Sequence, residues 1–261
     1  MKKSFGKSLF FIFGYVAAIG ISLLSFAGVP DDAPMLREIG QMTLVELAGV
    51  AVMLLIYRFV YVRLFDNARE YCFKLPRKDI LWGIFLIYPL ICVIKVSILA
   101  GTSEPGCLWA LETGWTREDI CENLLSLPVV ALIGPVMEEL CCRIFPLSSY
   151  KSRIGKIIAG VVTIFLFAIM HISTWKNVIA GSILFTVAYL VTKNMAVSIS
   201  LHVANNLATI LIPTLSGLYV LANPSATRGF FYTPIPVVIL TLAAFAVGAF
   251  LLIRALINAY D

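Results

Sequence analysis

"GPVMEELCCR", Gly134–Arg143, sets two adjacent carboxylates and a guanidinium inside a run that is otherwise apolar. Arg143 aside, about ten apolar or neutral residues flank the Glu138–Glu139 pair on either side, a length that reads as one membrane-crossing helix. A charged side chain at the centre of a bilayer costs about 2.5–3.5 kcal/mol even on a lenient scale. Three such groups in one span therefore need partners inside the protein.

The rest of the chain has the same character. Of 261 residues, 60 % are hydrophobic and 13 % charged, which excludes a soluble domain and gives an all-α, polytopic membrane protein. About eight transmembrane helices are expected, near 8–27, 42–62, 80–100, 126–148, 157–175, 177–193, 195–215 and 234–257. They form a single integral membrane domain over 1–261. The net charge of +5 comes from basic residues in short connections, so it sets topology and implies no nucleic acid.

Lys2, Lys3 and Lys7 precede the first span, Arg63, Arg69, Lys74, Arg77 and Lys78 follow the second, and Lys151, Arg153 and Lys156 follow the fourth. By the positive-inside rule these ends are cytoplasmic, and both termini come out on that side. The acidic loop from Glu104 to Glu122 falls on the opposite side. There Cys107 and Cys121 are chemically permitted to pair, whereas Cys72, Cys92, Cys141 and Cys142 read as small apolar fillers. The first span resembles a secretory signal in its basic start, but its apolar run is longer and is read as a retained helix.

Glu46, Arg58, Lys95 and Arg254 lie within roughly two turns of expected helix ends, where long side chains snorkel to the interface. Glu138, Glu139 and Arg143 have no such escape. Glu139 and Arg143, four apart, stack on one face as an ion pair, while Glu138 points about 100° away and lacks a local partner. That leaves two readings of Glu138: a proton acceptor, or one member of a structural charge cluster.

The two histidines, His171 and His202, both fall in apolar spans. Phe167, one turn before His171, packs over it and shields it from lipid. His202 and Asn206 share a helix face and offer hydrogen-bond donors to an oxygen gaining charge; Asn205 points elsewhere, toward another helix. A base, an acid/base and an oxyanion donor set on three helices is what water-driven acyl hydrolysis requires. A serine mechanism is not expected, because Ser198 and Ser200 are read as sharing no face with His202; Cys141 and Cys142 are poor nucleophiles in an apolar site. Glu138 with two histidines could ligate zinc in principle, but the HExxH spacing is missing, so no metal or other cofactor is expected. A proton-coupled transporter is a third reading, disfavoured by the absence of evident repeats.

The three motifs "EELCCR", "FAIMH" and "HVANN", in that order within expected helices, resemble the signature of the CPBP family. That family groups intramembrane endopeptidases, including the CaaX-processing protease, with bacteriocin-processing and immunity proteins. The resemblance covers about 128–213. It implies an intramembrane glutamate-type endopeptidase (hydrolase) acting on a membrane-associated peptide or protein. Glu138 and His171 would activate water, His202 and Asn206 would stabilise the oxyanion, and Glu139, Arg143 and Phe167 would support them. The alternative is a non-hydrolytic immunity or regulatory protein. Counted from the cytoplasmic ends, His202 lies roughly 10 Å deep, Glu138 roughly 15 Å and His171 roughly 21 Å. Convergence therefore requires tilted helices or a later start to the fifth span, near Gly160.

Overall fold

Within hydrocarbon a backbone satisfies its own hydrogen bonds only as helix or closed barrel, and every described element of this chain is helical. The computed structural model describes all residues except 1, 29, 31–33, 62, 64–72, 101–115, 149, 151, 172–174, 223–234 and 261. In chain order the helices are α1 (Lys2–Phe26), α2 (Met35–Tyr61), α3 (Lys78–Ala100), α4 (Arg117–Leu147), α5 (Arg153–Met170), α6 (Trp175–Thr192), α7 (Met195–Ala222) and α8 (Ile235–Tyr260). Among the described residues, five of them, α2, α4, α5, α7 and α8, are long and apolar enough to cross a membrane. Shorter apolar stretches occupy α1 (Ile12–Ser25) and α6 (Val178–Thr192). The chain is an integral membrane protein built of helices, and each expected segment has its helix.

Several boundaries differ from expectation, and those of α2, α4 and α5 have local reasons. α4 begins at Arg117 rather than 126, because Thr116 and Asp119 cap one another: the Asp119 carboxylate accepts from Thr116 N at 2.7 Å, and Thr116 Oγ1 accepts from Asp119 N at 3.1 Å. This reciprocal arrangement satisfies the first orphan amides, so Glu118, Asp119 and Glu122 are helical instead of loop. α2 starts at Met35, just after Pro34, whose carbonyl accepts from Arg37 N at 2.8 Å. α5 starts at Arg153, not near Gly160, with Ser152 as N-cap accepting from Gly155 N at 3.0 Å. It ends at Met170, leaving His171 as its C-cap with φ −110° and ψ 51°. The proposed Cys107–Cys121 pairing involves a residue outside the described ones.

The described residues form two compact units, 1–75 with 128–202 and 76–127 with 203–261. In the second, α3 and α8 pack closely where Gly83 faces Gly248: a Cβ on either would stand 3.0–3.1 Å from the other's carbonyl oxygen. Small residues are what permit such backbone approach between membrane helices.

In the first unit, the middle of α4 is the organising element. Two stretches of it, Pro128–Ile133 and Leu140–Ile144, are π-helical. The prolines give the reason: Pro135 and Pro146 have no N–H to return to the carbonyls four residues earlier. Phe145 N reaches back to Leu140 O, and Cys142 O, four residues before Pro146, is one of the backbone acceptors that tyrosines of α1 and α2 engage. Tyr15 Oη donates to Thr163 O at 3.1 Å and to Cys142 O at 3.4 Å, and Tyr61 Oη donates to Phe145 O at 2.9 Å. Cys141 O presses on Gly14 of α1, where a Cβ would stand 2.1 Å away. Helices α1 and α2 carry no motif, yet they hold the backbone of the helix that does.

Candidate active site

Between its two π-turns α4 is α-helical over Gly134–Glu139, and there Glu138 and Glu139 diverge. Glu139 is fully buried. Its Oε1 accepts from Arg143 Nη1 at 2.6 Å and from His202 Nδ1 at 2.8 Å, and Ser198 Oγ donates to its Oε2. Both oxygens are therefore satisfied by donors from α4 and α7, as a buried carboxylate requires. The expected Glu139–Arg143 pair forms, with more support than one turn of helix provides.

Arg143 is also fully buried. Its Nη2 donates to Ser182 Oγ of α6 at 3.1 Å, and its guanidinium carbon lies 4.2 Å from the Phe167 ring centroid and 5.4 Å from that of Phe185. Two aromatic faces thus take part of the charge in place of water. Phe185 stacks on His202 with centroids 4.6 Å apart, and Phe167 meets both histidines, His171 at 4.7 Å and His202 edge-on at 5.8 Å. Phe167 covers His171 as expected; it is also the wedge between the two imidazoles and the base under the guanidinium.

Glu138 has neither the arginine nor the hydroxyl. It faces His171 Nε2 at 3.7 Å and His202 Nε2 at 3.4 Å, and its side chain is 22 % exposed against 31 % for His171 and 5 % for His202. The ring nitrogens on the far side are committed. His171 Nδ1 donates to Phe167 O at 2.9 Å, since a carbonyl only accepts, and His202 Nδ1 donates to the Glu139 carboxylate. In their neutral forms both rings turn lone pairs toward Glu138. Two carboxylate oxygens and two imidazole nitrogens then converge with no donor among them, an arrangement that calls for a proton or a water molecule. Among the described residues no three His, Cys, Asp or Glu side chains form a metal-binding group.

The motifs converge without the later start to α5: its helix stops at Met170, and His171, as its C-cap, faces Glu138. Asn206 lies in the second unit, one turn beyond His202 on α7, and its Oδ1 accepts from Asn205 Nδ2 at 3.0 Å. Asn205 thus hydrogen-bonds its own neighbour. Three residues of the cluster had no expected role: Ser182, Phe185 and Ser198. For Ser198 the signal was present, because it precedes His202 by four residues, and the expectation that the two share no face does not hold. Both reach Glu139. Ser182 and Phe185, on a helix without a motif, carried no comparable signal. Glu46 does not snorkel: it lies about three turns inside α2 and its Oε2 atom is buried.

No curated protein and no solved structure matches the chain. A family model described as Type II CAAX prenyl endopeptidase Rce1-like matches residues 121–208, about a third of the chain. That segment holds "EELCCR", "FAIMH" and "HVANN" entire, and its match bears out the resemblance of this chain to the CPBP family of intramembrane endopeptidases.

Proposed function

We propose that the chain is an intramembrane endopeptidase that hydrolyses a peptide bond of a membrane-associated protein or peptide. The observation that carries this reading is the convergence of the Glu138 carboxylate with the Nε2 atoms of His171 and His202. A water molecule among them would give one proton to Glu138 and orient the other toward His171 Nε2. As water attacks the scissile carbonyl, Glu138 takes its proton. His171 stays aligned because its Nδ1–H is fixed on Phe167 O.

The oxyanion falls to His202 and Asn206 on one face of α7. With His202 Nδ1 already donating to Glu139, Nε2 can donate only from the doubly protonated ring, so in this role the ring acts as a cation lying against Glu139. Glu139, Arg143 and Phe167 position the two imidazoles and do not touch the substrate. The apolar runs give eight transmembrane helices, the charge distribution puts both termini on the cytoplasmic side, and the scissile bond is cut in the cytoplasmic half or near the midplane. No metal enters the scheme.

The test compares native membranes containing the wild type or Glu138→Gln, using mass spectrometry of peptide termini. Termini near membrane boundaries that appear only with the wild type are expected, and they identify the substrate. Identical termini from two folded, expressed proteins would overturn the reading and leave a non-hydrolytic immunity or regulatory protein.

A further inference from the structure

One buried carboxyl group is not used in the scheme above. Glu46 projects from α2, and its Oε2 is fully buried with no hydrogen-bond partner. That oxygen lies 3.9 Å from where a Cβ on Gly134 would stand. Gly134 precedes Glu138 by four residues within the α-helical stretch Gly134–Glu139, so the two share a face and are about 6 Å apart along the axis. The gap left by the missing side chain of Gly134 brings the Glu46 carboxyl to the face that carries Glu138, and the two groups feel each other's charge.

Peptide hydrolysis needs more than a base. An amine leaves a tetrahedral carbon readily only after its nitrogen gains a proton, and two carboxyl groups flanking one bond divide that labour in other hydrolases. Glu138, faced by two imidazole nitrogens, is the group placed to accept a proton; Glu46, with no donor or cation at its buried oxygen, is the group placed to give one.

We propose that Glu46 is a second catalytic carboxyl group, the acid that protonates the departing amine; this rests on the peptidase reading of the same site. The water oxygen bonds to the carbonyl carbon as its proton passes to Glu138. The C–N bond then breaks, and the nitrogen takes the proton of Glu46. This leaves Glu46 as carboxylate and Glu138 as acid. Return of that proton across one helical turn, through water, restores both groups. Overall, one water is consumed and a carboxylic acid and an amine are released.

The test uses the full-length protein in detergent with two probes. One is an internally quenched peptide spanning the bond mapped by the terminus comparison; the other is its depsipeptide twin, in which the scissile N–H is replaced by oxygen. An ester leaving group departs without prior protonation, so it does not need the acid. Glu46→Gln should lower amide cleavage about 100-fold and leave ester cleavage unchanged. The readout is the ratio of the two rates, which does not depend on how much of the variant folds. A ratio equal to that of the wild type would overturn the proposal, and Glu46→Asp, which keeps an acid, should restore part of the amide rate. Glu138→Gln, measured alongside, separates the two readings. Retention of both rates in that variant would overturn the peptidase reading itself. Loss of both, with an unchanged ratio in Glu46→Gln, would remove only the role given to Glu46.

Discussion

The two faces of α4 carry neighbouring glutamates in opposite surroundings. On one face Glu139 is sealed, with Arg143, His202 and Ser198 on its two oxygens; on the other Glu138 is 22 % exposed and faces two imidazole nitrogens. The step of about 100° between adjacent helical residues separates them, but the difference is made by what arrives from elsewhere. α7 delivers a hydroxyl and a ring N–H to Glu139, α6 delivers Ser182 to its arginine, and the end of α5 leaves His171 beside Glu138. A carboxylate becomes structural when donors complete it, and reactive when acceptors surround it.

That contrast breaks most severely if Glu138 is neutralised. Glu138→Gln should lower turnover by about 10³–10⁴-fold while leaving the midpoint of thermal unfolding in detergent unchanged; normal turnover would remove Glu138 as the base. The opposite face should show the opposite pattern. Arg143→Ala strands a fully buried carboxylate and should cost about 3–5 kcal/mol of stability, measured as lost folded yield and a lower unfolding midpoint. If it folded normally, the burial of Glu139 would not depend on that pair. Ser198→Ala removes one donor from the charged group and should cost about 1.5–3 kcal/mol by chemical unfolding. At the small end, dialysis of the purified protein against a chelator should not change turnover. A loss reversed by added zinc would recast Glu138 as a ligand and the contrast between the faces as one of metal chemistry.

Much of this was written in spacing. Four residues separate Glu139 from Arg143 and Phe167 from His171, and both pairs meet as a helical turn dictates. What spacing could not supply was the end of each helix. Ser152 starts α5 early, and its stop at Met170 moves His171 out of a rod and into a cap. Hydropathy varies too slowly along a chain to register such a one-residue event, and the same holds for the π-turns of α4. Glu46 departs from expectation for a related reason: with α2 starting at 42 it sits near an end, and with α2 starting at Met35 it is interior. Ser182 and Phe185 belong to a helix whose composition is that of any membrane span, so only tertiary packing reveals them. The "TRED" stretch at Thr116–Asp119, by contrast, held a readable capping box.

Gly14 carries a consequence for how such a chain can change. It touches no substrate and belongs to no motif, yet a methyl group there would overlap Cys141 O at 2.1 Å, on backbone that cannot step aside without moving the π-turn beside Glu139. In a library of every single substitution, the first helix should therefore reject even alanine at Gly14, the smallest possible change, beside the buried Tyr15 and Ala18.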